Sequence, residues 1–117
     1  MVAAAGLNLQ EAQRYARRVG ERWPIERAWL GGARVDDHRG APAQRERGNE
    51  YVAVIVSAGF DGIPWLERVY QAESLWDGET MGAPVEAHCY TPVELERKRD
   101  LPVVAWVLRR GIDLLAG

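Results

Sequence analysis

The residues of this chain whose types and spacing could do chemistry are two glutamates, a glycine pair and an arginine. Glu50 stands at the mouth of an apolar run, Tyr51-Val52-Ala53-Val54-Ile55-Val56. Glu86 stands near the start of the alternating segment Val85-Glu86-Ala87-His88-Cys89-Tyr90. Carboxylates delivered by neighbouring strands are hard oxygen ligands of the kind Mg²⁺ requires. Gly31-Gly32 closes an earlier apolar segment, and a glycine turn lets backbone N–H groups come close to a phosphate. Arg34 follows, with Arg39, Arg45 and Arg47 beyond it, and guanidinium groups grip phosphates bidentately. Residues i and i+2 share a face of a strand, so the natural partner of Glu50 is position 52. That position holds Val52, which cannot bind a metal. By the same rule Glu86, His88 and Tyr90 share a face, opposite Val85, Ala87 and Cys89. A plainer reading stands beside each of these. Glu50 is then a solvated loop acid, Glu86 an exposed strand residue, and the arginines belong to a polar loop. His38 is then solvated, His88 makes a structural hydrogen bond, and Cys89 is an inert core thiol.

The elements that must position these groups read as follows. Asn8 and Glu11 resemble a capping box, and Leu9, Ala12, Ala16, Val19 and Trp23 recur at helical spacing, so a helix spans about Leu9 to Glu21. Ile25 to Leu30 is the first strand. Asp36 to Asn49 is polar, lacks periodicity and reads as an exposed loop. Tyr51 to Ser57 is a second strand whose unbroken apolar run predicts burial on both faces. Gly59, Asp61 and Gly62 make a turn. Pro64 opens a helix with Trp65, Val69, Ala72 and Trp76 on its inner face, ending near Gly78. The third strand is Val85 to Tyr90. Thr91-Pro92-Val93-Glu94 caps a helix to about Arg99. Another helix follows from Asp100 or Pro102, with Val103, Val104, Val107 and Leu108 inward, and Ile112 to Leu115 forms a short edge strand. Strands alternating with helices give a single α/β (α+β) domain over residues 1–117, a small mixed sheet with helices on one face. Glu86, His88 and Tyr90 are expected on the open face.

The 117 residues suit one core. A formal charge of −2 gives no electrostatic case for nucleic-acid binding. The 14 arginines against one lysine point to genome composition rather than to a ligand. Cys89 is the sole cysteine, so no internal disulfide is expected and the cytoplasm is the expected compartment. No apolar run approaches a membrane span, and no signal peptide is apparent. Five tryptophans are many for this length, and any exposed ones would mark a partner surface.

Taken together, the segments Leu30-Gly31-Gly32, Asn49-Glu50-Tyr51-Val52-Ala53, Pro84-Val85-Glu86 and Tyr90-Thr91-Pro92-Val93-Glu94-Leu95-Glu96-Arg97-Lys98-Arg99, with Arg109-Arg110-Gly111-Ile112, resemble the minimal nucleotidyltransferases. These are small DNA-polymerase-β-like proteins commonly encoded beside a HEPN partner. The resemblance spans about Ile25 to Leu115 and is carried mostly by the C-terminal half. It implies a nucleotidyltransferase-like fold, with Glu50 and Glu86 as catalytic and metal-binding acids, and with Gly31, Gly32 and Arg34 at the nucleotide. The departures fall on the chemistry. Gly32 stands for the family's serine, Glu50 for its first aspartate, Val52 for its second and Glu86 for its third. The loop from Ala33 to Gly48 is longer than usual.

A two-metal transfer site without its central carboxylate is broken unless Asp36 or Asp37 substitutes. The resemblance therefore implies a catalytically degraded, antitoxin-like domain that binds a HEPN-type helical protein. The alternative is an active Mg²⁺-dependent enzyme that uses ATP and transfers a nucleoside monophosphate to a partner protein or small molecule. A third option is nucleotide binding without turnover. Homo-oligomerisation is open.

Overall fold

The computed structural model describes residues 7–38 and 51–116. The first helix, α1 (Leu9–Arg22), starts where the Asn8 side chain accepts the Glu11 N–H at 2.9 Å. Only half of the expected capping box forms, because the Glu11 carboxylate turns to Arg18 at 2.7 Å. Strand β1 (Arg27–Gly31) leads through Gly32 into a short helix, α2 (Ala33–His38). Gly32 has φ +108°, a left-handed conformation that glycine adopts without steric penalty. The expectation of an irregular loop from Asp36 is thus corrected at its start, where α2 continues to His38. The rest of that segment, Glu50 included, lies outside the described residues.

Strand β2 (Tyr51–Val56) is buried at every position. A 3₁₀ turn (Ala58–Phe60) leads to α3 (Trp65–Ser74) and then to α4 (Gly78–Met81), a single turn capped by Asp77 and ended by Gly82 at φ +86°. Strand β3 (Val85–Tyr90) follows, then α5 (Pro92–Lys98), α6 (Pro102–Arg110) and β4 (Ile112–Asp113).

The sheet order is β3-β2-β1-β4. β1 runs antiparallel to both β2 and β4, and β2 runs parallel to β3. A parallel pair needs a helical crossover, which α3 and α4 supply. The alternation of residues along the strands produces two apolar clusters. Ala28, Leu30, Tyr51, Ala53, Ile55, Ala87 and Cys89 form one with Tyr15, Val19 and Ala72 from α1 and α3. Trp29, Val52, Val54, Val56 and Tyr90 form the other with Leu95 from α5 and with Val104 and Val107 from α6. Helices therefore cover both faces, which corrects the expectation of one. The unbroken apolar run of β2 requires this, since each face of a central strand must be shielded.

α3 also lies along the outer edge of β3. Ala87 donates its N–H to Glu73 at 3.0 Å, and Arg68 donates to the Cys89 carbonyl at 3.1 Å. These side chains satisfy backbone groups that an edge strand would otherwise present to another chain.

Candidate functional site

The sheet register brings three distant residues into one row. Gly31 pairs with Val52, and Val52 pairs with Glu86. Directly paired residues share a face, so the end of the glycine turn, the middle-strand position and the third-strand acid stand side by side. Only one of the three is a carboxylate. Val52 is 4% exposed and packs with Val54, Val104 and Val107.

The second face is therefore closed over β1 and β2 by α6. A Cβ added to Gly31 would lie 3.0 Å from Val107 Cγ2, so this glycine is required by the close approach of α6. Asp36 fastens the same helix. Its carboxylate is 4% exposed and accepts the Trp106 Nε1–H at 2.7 Å and the Arg110 Nε–H at 3.1 Å. An acid expected to be solvated, or free to swing towards a metal, instead ties α2 to α6. The Asp37 and His38 side chains lie outside the described part of the structure.

Arg34 goes elsewhere. Its guanidinium lies 5.6 Å from the centre of the Tyr51 ring, and Tyr51 belongs to the first face. It also lies beside Gly82, 3.1 Å from where a Cβ there would sit. The sheet separates it from Val52 and Glu86, which face the other way. Among the proposed nucleotide contacts, then, Gly31 lies in the row with Glu86, Gly32 makes the turn beside it, and Arg34 does not join them. Arg39, Arg45 and Arg47 lie outside the described residues.

At the β3 end the second face opens. The Glu86 side chain is half exposed and His88 is 16% exposed. His88 Nε2 is 2.6 Å from Glu86 Oε2, and Nδ1 is 3.3 Å from the Tyr90 hydroxyl. A carboxylate bound at Nε2 selects the tautomer protonated there, leaving Nδ1 to accept from Tyr90. Burial raises the Tyr90 hydroxyl above its ordinary pKa, so it remains a donor. Trp65, from α3, closes the corner, with its ring 5.3 Å from Tyr90 and 6.2 Å from His88. Sequence reasoning placed Trp65 in the core, yet it is 39% exposed. Its position after Pro64, at the open N-terminal end of α3, was the available signal.

Cys89 is buried on the first face and free. Loss of hydration pushes its thiol up to about 12, so it stays protonated and unreactive.

The described residues of this row do not by themselves make a site for a pair of Mg²⁺ ions. Mg²⁺ requires a near-octahedral set of oxygens. At the row Glu86 is the one carboxylate, and it is held by His88. Among the described residues, no group of three or more His, Cys, Asp or Glu could hold a metal.

No protein-family model and no curated protein matches the chain. Among solved structures, the crystal structure of "a putative nucleotidyltransferase from Sulfolobus solfataricus" aligns with a TM-score of 0.55. The alignment covers 90% of this chain and 77% of that one, at 17% identity. The fold is nucleotidyltransferase-like. At that identity the likeness concerns architecture alone. The mixed sheet and helices expected from the sequence are present in that architecture. Among the described residues, no helix is long and apolar enough to cross a membrane.

Proposed function

We propose that this nucleotidyltransferase-like domain has lost nucleotide transfer and works by binding a partner protein, in an antitoxin-like role. A HEPN-type helical protein is the partner suggested by the sequence resemblance. The observation that carries this reading is the row Gly31–Val52–Glu86. Its central position, where a metal-binding acid belongs, is a valine built into the apolar cluster beneath α6. A carboxylate there would face burial among Val54, Val104 and Val107 as well as repulsion from Glu86. The position therefore serves packing, and the fold around it is intact.

The competing reading is an active enzyme in which Glu50 and Glu86 suffice to hold Mg²⁺ and ATP. The half-exposed Glu86 carboxylate favours it. Calorimetric titration of ATP into the protein, with and without Mg²⁺, separates the two when run beside a transfer assay with radiolabelled ATP. The partner-binding reading expects neither Mg²⁺-dependent binding nor label transfer. Transfer by the wild type that disappears in Glu86→Ala would establish the enzyme instead.

A further inference from the structure

The outer side of α3 carries the largest exposed apolar side chains among the described residues. Leu66 is 78% exposed and Tyr70 is 81% exposed. At 100° per residue these two lie on one stripe, with Trp65 and Val69 filling the arc between that stripe and the edge of β3. Leucine and tyrosine held in water at adjacent positions of one helix are unusual for a surface that meets only solvent. The same region is acidic. Between Ala58 and Tyr90 there are six acids and one arginine, a formal charge of −5, against +3 for the rest of the chain. That arginine, Arg68, is buried and donates to both oxygens of Glu94, at 2.6 and 3.2 Å. α3 itself carries no other cation, and the cations that reach it come from α1, where Arg22 donates to Gln71 at 3.0 Å and Arg18 to the Leu75 carbonyl at 2.9 Å, towards its C-terminal end.

The occupant of such a surface is constrained in two ways. An added β-strand is excluded at this edge, because Glu73 and Arg68 already engage the Ala87 N–H and the Cys89 carbonyl. An anionic lipid surface is repelled by the charge. A helix laid along α3 presents apolar residues to Trp65, Leu66 and Tyr70, and cationic residues to the acids.

We infer that α3, with Glu86 at its margin, is the docking surface for an amphipathic helix with a basic flank on the partner protein. This rests on the partner-binding reading above and names the surface and the chemistry it recognises. A lysine or arginine of that helix is placed at the Glu86–Trp65 corner. There the Glu86 side chain is half exposed and the indole face accepts the cation.

The test uses two synthetic peptides of about five helical turns. One has a leucine face and lysine elsewhere, and the other has glutamate in place of lysine. Binding to the full chain is read by fluorescence anisotropy at physiological salt, and the contact is mapped by amide chemical shifts. The lysine peptide should bind, with shifts confined to α3 and β3, and the glutamate peptide should not. Leu66→Ser with Tyr70→Ser should weaken binding by about tenfold or more. Glu86→Gln should weaken it roughly threefold. Both variants alter exposed side chains, so unchanged thermal melts keep the comparison clean. Equal binding by the double variant, equal binding of both peptides, or shifts centred on another surface would overturn the assignment. A wild-type dimer that the double variant dissolves would also overturn it, giving the face to a second copy. None of these results involves nucleotide. Failure here with no ATP binding removes the surface assignment alone, whereas label transfer removes the functional reading.

Discussion

The two faces of the sheet are built from alternate residues of the same strands, yet they solve different problems. On the first face every strand position is apolar, and the large side chains carry polar tips that are spent internally. The Tyr15 hydroxyl donates to the Ala72 carbonyl at 2.9 Å, the Tyr51 hydroxyl to Met81 at 3.2 Å, and the Trp76 Nε1–H to Ala83 at 2.8 Å. That face is a closed core. The second face is closed only over β1 and β2, where α6 covers Trp29, Val52 and Val54. At β3 it turns polar, with Glu86 and His88 reaching water. The second face thus has core chemistry at its centre, with Glu86 and His88 at its margin.

Val52→Asp tests that contrast most severely. It exchanges a methyl pair for a carboxylate at a buried position opposite Glu86. The cost at neutral pH should be about 4 kcal/mol, measured by urea unfolding. Burial and Glu86 both raise the new carboxyl, so its protonated form is the tolerated one. Stability is then greatest below the unfolded aspartate value and falls as pH rises through the folded one. A cost under about 1 kcal/mol, with no pH trend, would show that the second face is an accessible cleft and that the contrast is false. Leu30→Ala probes the first face, where Leu30 is fully buried. It should cost about 3 kcal/mol, with no pH dependence, because only packing is lost.

Much of this architecture could be read from the sequence, for reasons that differ by element. β3 was legible to the residue, since Val85–Tyr90 alternates cleanly and Thr91-Pro92-Val93-Glu94 announces the next helix. Both halves of the Thr91–Glu94 capping box are present, at 3.2 and 2.9 Å. Helix α2 was not legible, because what holds it comes from 70 residues away, where Trp106 reaches Asp36. The inner face of α3 was misjudged for a related reason. Apolar spacing selected Trp65, Val69, Ala72 and Trp76; Ala72 is buried and Trp76 packs on the core as expected, but Trp65 is exposed and Arg68 is buried instead. Arg68 is admitted because Glu94 and the Cys89 carbonyl receive it, and no local pattern reveals such partners. Val52 was singled out by the resemblance, which expects an acid two residues after Glu50. Its role as packing, rather than simple loss of an acid, required the position of α6. The separation of Arg34 from Glu86 likewise depended on which face Tyr51 occupies.

Arg68 and Glu94 join the two faces at the β3 edge, and Glu94→Gln should expose their contribution. The Arg68 hydrogen bond, the larger influence, holds the Glu94 carboxyl below its ordinary value of 4.5. A depressed folded pKa contributes stability above the unfolded value and loses it as pH falls through the folded one. Removing the charge leaves Arg68 buried beside a neutral acceptor. The cost should be about 2 kcal/mol at neutral pH, reduced from a fully buried pair because Glu94 is 35% exposed. It should vanish in acid, so the stability curves of wild type and variant should converge below pH 4.5. Parallel curves would mean that the ion pair contributes nothing beyond shape.

The smallest expected effect concerns the glycine turn itself. If Gly31 is kept for a phosphate, an added methyl should leave folding untouched. If it is kept for α6, the methyl meets Val107 at 3.0 Å and one of the two must move. Gly31→Ala should therefore cost about 1 kcal/mol through overpacking. Val107→Ala alone should also destabilise, by about 1–2 kcal/mol, from lost packing. Combined, the two changes should cost clearly less than the sum of the single effects, since Val107→Ala vacates the space that the new methyl fills. Additive effects in a double-mutant cycle would mean that α6 does not press on the turn, and the second face would again have room for a ligand beside Glu86.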